Sequence, residues 1–562
     1  MNRMSDSDML LQAVQAMDGM YNREIRMLAT PFKSPGYHTT LRQVETVHPT
    51  RETVQYALAL LDTELPEYER RAFDILETIV SLQDTNPDQA TFGIWPWFYE
   101  EPLSRMSPPD WNWADFIGKN LVLAALRHGR RFPEALRQSV RQSVFCACDA
   151  IMKRNVGPHY TNIAVMGAFV TLLAGELYGR RDYERYGLNR LNGIVEFTRK
   201  LGSFQEYNSP TYTIVAVLEL SKLKTETRNE QAKAWCDELL DRAWKMIADH
   251  FHAGTKQWVG PHSRSYSTML SDRTKAFLQV ATDGQLLYFP WDRLPYEGEW
   301  FKSGVRCPSS YLRCFTGRME KSLTQCYFRD ESGEEKKWAT TFMTSDYALG
   351  TFSREIMWNQ ATCLLAYVRN GGGTTYMRLR ALHDGYDFCS AVFTAAQYRE
   401  QVLFGVSFLT NGGDTHPALD RIDGTVEASD IRLRLEIGGN LNNVNAVSAG
   451  DRAAFALDGL NVQVATLFAA FDDGTDRERW EWEIGRKDEV CFADLVIYSG
   501  DKKTIDFRSM REAVFLFSMA LGEKASRFEA VVEHDSERVR ATGDLGERPP
   551  LTLILPRKPQ TL

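Results

Sequence analysis

Residues 204–215 read FQEYNSPTYTIV, and the way this stretch is read decides the rest of the chain. Glu206, Tyr207, Asn208, Ser209, Thr211 and Tyr212 crowd polar and phenolic groups just before an apolar run at 214–223. Pro210 suits the opening turn of a helix, where its missing N–H would have had no partner, and Asn208 or Ser209 can cap that helix. Tyr212 then stands in the first turn. Two comparable stretches flank it, GPHYTNIAV at 157–165 and GPHSRSYSTM at 260–269. Asn162 precedes Tyr212 by 50 residues, and Arg264 follows it by 52. A hairpin of two helices with its turns takes roughly that many residues. The spacing predicts a toroid of hairpins that brings all three stretches to one rim.

Outward from this stretch, the first half of the chain reads as helix after helix with no clear strand. Periodicity places helices at 7–28, 50–64, 66–84, 111–129, 133–155, 162–178, 183–201, 210–224, 229–252 and 272–281. Thr50 or Thr53 is the expected cap of the second, and Asp110 of the fourth. The strongly apolar segments 161–178 and 210–223 alternate with amphipathic ones at 183–200 and 229–252, as an inner and an outer ring require. From about residue 310 the texture changes to short strand-like runs, among them TTYMRLRAL, QVLFGVSFL, IRLRLEIG and LTLILP. Turn-like separators such as SGEE, NGGG, TNGGD, DDGTD and SGDKK divide them. The expected fold is therefore an N-terminal (α/α) toroid of helical hairpins, residues 1–300, followed by a C-terminal antiparallel β-sandwich, residues 301–562.

Bulk properties narrow the function. No unbroken run of 18 apolar residues occurs, so no membrane span is expected. The first residues lack an apolar signal core, which places the protein in the cytoplasm, or outside the cell if a leader has been removed. Nine cysteines, an odd number without framework spacing, read as reduced thiols. Cys146 and Cys148 point to different faces of one helix and read as small buried hydrophobes. A net charge of −8 argues against nucleic acid as a partner, yet a cleft can still be locally basic for an acidic sugar. Thirteen Trp and 22 Tyr supply flat faces that suit sugars or cores equally. Trp95, Trp97, Trp111 and Trp113, with Asn112, are the candidates for sugar subsites, in and after the aromatic-dense loop at 86–109. There is no phosphate-binding glycine loop, dinucleotide fingerprint, HExxH or G-x-S-x-G. In the sandwich, Trp358-Asn359-Gln360 and His383 are the polar clusters that stand out. His383 with Asp384 suits a structural divalent metal; no other cofactor is expected.

Asn162 in YTNIAV, Tyr212 in EYNSPTY, and Arg264 with Tyr266 in HSRSY form a pattern that resembles the heparinase II/III-like and related toroid polysaccharide lyases. That resemblance implies β-elimination at a uronic acid, with an acidic oligosaccharide or polysaccharide as partner. It implies Asn162 and Arg264 as the groups that neutralise the uronate carboxylate, and Tyr212 as base and acid. Ile163 follows Asn162 where many relatives carry His, so a histidine base must come from His159 or His262. Asn208 and Glu206 would contact substrate or brace the loop. The chemistry fits these residue types, because the C5 proton is acidic only when the adjacent carboxylate charge is neutralised, and an amide and a guanidinium do that. Two rivals stand beside it. One is a toroid glycoside hydrolase, with Glu206 and either Asp115 or Asp272 as paired carboxylates. The other is a non-catalytic carbohydrate-binding protein. A homo-oligomer remains open.

Overall fold

The computed structural model describes residues 3–317, 320–472, 474, 479–523 and 528–562. The turn expected at DDGTD, residues 472–476, lies largely outside the described residues. The chain divides into two compact units that are not contiguous in sequence. One comprises residues 1–200, 212–245 and 272–310; the other comprises 201–211, 246–271 and 311–562. Two short segments inside the expected toroid, 201–211 and 246–271, thus pack with the sheets.

The helical unit is built from α1 (Asp6–Asp18), α2 (Thr50–Asp62), α3 (Pro66–Ser81), α4 (Trp113–His128), α5 (Glu134–Arg154), α6 (Thr161–Tyr178), α7 (Arg181–Leu201), α8 (Tyr212–Glu226), α9 (Glu230–Asp249) and α10 (Asp272–Ala281). Short connections make successive helices antiparallel hairpins. α2, α4, α6 and α8 each pack on the next, while α3 packs on α5, which is the inner and outer layering of an (α/α) toroid. Burial follows the layering. α6 buries every residue from Thr161 to Gly175, whereas the hydrophobic faces of α3 and α5 recur at helical spacing. By length and composition α6 could cross a membrane, but 83% of it is enclosed by the rest of the protein, as befits a core helix.

Three expectations give way here. The first helix stops at Asp18 instead of reaching residue 28: Gly19 ends it, the Asn22 side chain takes the N–H groups of Glu24 and Ile25, and Tyr21–Asn22 pairs with Met27–Leu28. α2 has Pro49 at its N-cap and no side-chain cap from Thr50 or Thr53, whose hydroxyls bond Pro96 O and Leu28 N instead. α8 begins at Tyr212, two residues beyond Pro210. Asn208 does not cap it, because its backbone is left-handed (φ 48°) and its side chain is committed elsewhere.

The second unit is an antiparallel β-sandwich. One sheet runs Trp482–Lys487, Val490–Asp506, Thr425–Gly439, Gly373–His383, Leu364–Asn370, Tyr347–Phe352, Glu335–Met343 and Lys321–Arg329, with Tyr386–Asp387 paired to the fourth. The other runs Arg354–Ile356, Ala391–Tyr398, Gln401–Phe408, Ala513–Gly522, Leu460–Phe471, Arg452–Leu457 and Asn445–Ala449. Alternating apolar residues face inward from both, and Trp482 of the first sheet lies 5.6 Å from Phe517 of the second, ring to ring. A three-stranded sheet, Ala530–His534, Arg538–Gly543 and Leu551–Pro556, packs Val539, Ala541, Leu553 and Leu555 onto Leu403, Val514 and Leu516.

Candidate active site

The packing of the inner helices positions the candidate residues of the helical unit. A Cβ built on Gly118 of α4 would meet Val170 of α6 at 3.3 Å, and one on Gly167 of α6 would meet Asp115 Oδ1 of α4 at 3.0 Å. Both pairs differ by 52 in number, so α4 and α6 run parallel. At the far end of α6, Thr227 Oγ1 donates to Glu176 Oε1 at 2.6 Å, a difference of 51. Asn162 and Tyr212 each stand in the first turn of their helix, and α6 packs on α8. At their N-terminal end the inner helices carry Asn112 just ahead of α4 and Asp115 on it, Tyr160 just ahead of α6 and Asn162 on it, and Tyr212 opening α8. The first-turn N–H groups at that end lack intrahelical acceptors, which gives it a partial positive charge.

Asn162 is buried and Tyr212 half-buried. Asn112 Oδ1 accepts from Arg154 Nη1 at 2.6 Å, and its Nδ2 points to Tyr160 Oη at 3.4 Å. Asp110 Oδ1 accepts from Asn112 N, and Asp110 Oδ2 from Trp97 Nε1. Trp97 stacks on Trp113 with centroids 5.1 Å apart, and the Arg51 guanidinium lies over Trp113 at 5.5 Å. Trp111 is 37% exposed, its indole N–H on Ala90 O. Trp95 is a correction: it is wholly buried with its indole donating to Ile79 O, a core residue with no face for a sugar. His159 is exposed on the link between α5 and α6.

In the sandwich unit, segments 201–211 and 246–271 knit together through Asn208. Its Nδ2 donates to Val259 O and Pro261 O, its Oδ1 accepts from Trp258 Nε1, and its carbonyl accepts from His262 Nδ1 at 2.7 Å. Asn208 is therefore a brace rather than a substrate contact. His262 belongs to the same network. It is 1% exposed, burial lowers its pKa to about 4, and the proton on Nδ1 is engaged by Asn208 O. Tyr207 donates to His250 Nε2 at 3.0 Å. Arg264 Nε donates to Gln360 Oε1 at 3.0 Å, its Nη1 lies 3.3 Å from Glu206 Oε1, and its guanidinium sits over Trp358 at 5.7 Å. Tyr266 is 57% exposed. The Trp358–Gln360 cluster thus proves to be the platform of Arg264. His383 bonds Asp414 Oδ1 through Nδ1, and Asp384 Oδ1 accepts from the N–H groups of Ser429 and Asp430. Among the described residues no three His, Cys, Asp or Glu side chains gather as a metal site requires.

Nothing in the sequence points to Arg190 on α7, whose Nε donates to Ala164 O at 3.0 Å in the first turn of α6. Asp115 stands out in the sequence only as a partner for paired-carboxylate hydrolysis. Only the glycine at 167, unusual inside so apolar a helix, hinted that something approaches closely there.

A family model described as "Domain of unknown function (DUF8769)" matches residues 7–281. No curated protein matches the sequence. Among solved structures, the chain is similar to heparan sulfate lyase HepC from Pedobacter heparinus at 10% identity, covering 100% of this chain and 90% of that one, with a TM-score of 0.38. It is similar to the chondroitin AC lyase of Streptomyces coelicolor A3, solved with chondroitin sulphate, at 9% identity over 92% of this chain and 96% of that one, TM-score 0.36. A heparinase III structure, the BT4657 gene product, shares 9% identity over 99% and 91%, TM-score 0.35.

Proposed function

We propose that this protein cleaves an acidic oligosaccharide or polysaccharide beside a uronic acid by β-elimination. The supporting observation is that an amide, Asn162, and a phenol, Tyr212, each stand in the first turn of one of two packed helices, α6 and α8. Asn162 donates hydrogen bonds to the uronate carboxylate as negative charge spreads onto it, and so lowers the barrier to loss of the C5 proton. Tyr212, as phenolate, takes that proton. The C4–O bond then breaks as the C4=C5 double bond forms, and the new phenol O–H returns its proton to the departing oxygen. The positive end of α8 favours the phenolate. Paired-carboxylate hydrolysis has weaker support, since Glu206 is engaged by Arg264.

The test is ultraviolet absorbance of unsaturated uronate across a panel of uronate-containing glycans. The expected result is a rise with at least one of them, and a drop in kcat of about 10²–10⁴ for Tyr212→Phe with an intact fold. Saturated products with new reducing ends, or unchanged turnover in Tyr212→Phe, overturn the assignment.

A further inference from the structure

Asp115 is a carboxyl on α4 that is 2% exposed, and its Oδ1 makes no hydrogen bond. Directly across from it, Arg190 of α7 spends its guanidinium on three oxygens: Ala164 O at 3.0 Å, Ile163 O at 3.5 Å and Tyr186 Oη at 2.7 Å. Two of these are carbonyls in the first turn of α6, immediately after Asn162. The Tyr186 hydroxyl is itself anchored on Asn155 Oδ1 at 2.9 Å. Gly167 is the notch that lets both side chains in. A Cβ there would lie 2.9 Å from Arg190 Nε and 3.0 Å from Asp115 Oδ1, which sets the acid and the guanidinium within about 6 Å of each other, unbonded.

We propose that Asp115 is a positioning residue for Asn162, acting through Arg190. A neutral Asp115 leaves the guanidinium clasping the first turn of α6; an ionised Asp115 competes for the guanidinium and draws it off those carbonyls. The kinetic consequence rests on the elimination reading, but the clasp itself does not. The groups that face Asp115 are Arg190 and Tyr186 from α7, Arg154 and Cys148 from α5, and Asp110 ahead of α4. Burial outweighs the two arginines and raises the acid to about 7, so the exchange falls in a range where enzymes work.

Hydrogen exchange of the peptide covering residues 161–170, read by mass spectrometry from pH 5.5 to 8.5 and corrected for intrinsic rate, tests the clasp on the intact protein. Wild type is expected to lose protection there by about threefold or more as pH rises through 7, while Asp115→Asn, permanently neutral, keeps it. Arg190→Lys, which cannot span both carbonyls, is expected to be less protected throughout. In parallel, kcat for unsaturated uronate release should fall above pH 7 in wild type and stay level in Asp115→Asn, with KM changing little. Matching exchange profiles for wild type and Asp115→Asn overturn the clasp. Differing exchange with identical kcat profiles overturns the positioning role. An absence of unsaturated product from every variant counts against the elimination reading alone, and the exchange comparison still decides the clasp.

Discussion

The two units bury carboxylates in opposite ways, and the contrast follows from their secondary structure. In the helical unit, Lys119 of α4, Glu219 and Lys222 of α8 and Glu299 form an ion cluster with side chains 7% exposed or less. An inner helix packed on every side has no polar face, so a charge on it must find its partner inside. In the sandwich unit, the charges form a ladder along one sheet face. Arg378 and Arg380 hold Glu436, and Arg432 and Arg434 hold Asp494, with the arginines still about a fifth exposed. Strand alternation puts every second residue on that face at modest desolvation cost, and the guanidinium stems shield the acids. Burial of charge is thus enforced in one unit and incidental in the other.

The sharpest way to break this contrast is Lys119→Met. It removes the cation shared by Glu219 and Glu299 and leaves Lys222, at 3.3 and 3.7 Å, with Arg273 beside Glu299. A loss of about 3–5 kcal/mol in unfolding free energy is expected by chemical denaturation, as for other broken buried pairs. A change below about 1 kcal/mol would mean that the cluster is solvated and that the helical unit treats charge as the sandwich does.

Glu436→Gln should cost less, about 2 kcal/mol at neutral pH, because its two arginines keep contact with water and Arg380 keeps Asp387. The pH dependence separates the two regions further. Burial works against ionised Glu436, but Arg378 and Arg380 overcome it and hold the carboxyl below its ordinary range. The folded state thus binds this proton more weakly than the unfolded one. The stabilisation is present above the ordinary carboxylate range and is lost as pH falls through the lowered value. Wild type and Glu436→Gln should converge in stability as pH falls below the ordinary carboxylate range.

How much of this was legible differs between the units for the same reason. The alternation in IRLRLEIG and TTYMRLRAL announces strands and even which residues share the charged face, because a period of two is unambiguous over eight residues. The toroid was legible from the alternation of apolar and amphipathic helices and from the 50-residue spacing of Asn162 and Tyr212. The structure gives that spacing a cause in the near-constant offset between neighbouring inner helices. Side-chain partners were not legible. Nothing in FIGKNLVLA or AVLELSKLK says that Lys119 meets Glu219 a hundred residues away. Nor does FQEYNSPTY say that Asn208 turns left-handed to bind Pro261 O, a conformation set by a segment some 50 residues downstream. Helix boundaries missed by one to ten residues wherever a side chain such as Asn22 took over the next N–H groups.

The smallest effect is the most diagnostic. Asp115 is the helical counterpart of Glu436, an acid whose ionisation burial opposes and whose nearest cation, Arg190, is occupied by carbonyls. Its folded pKa, about 7, lies above the unfolded value, so the folded state binds the proton more tightly. The associated stability is fully present below the ordinary carboxylate range and disappears as pH rises to about 7, the reverse of Glu436. Asp115→Asn removes that dependence. The new amide leaves buried hydrogen-bonding groups unpaired at some cost, so the net gain at pH 8 should be only about 1 kcal/mol, turning into a loss of similar size at pH 5. Thermal unfolding of both proteins at the two pH values reads the crossover directly. Parallel curves would show that Asp115 stays ionised inside the helices, held by arginines as the acids of the sheet face are.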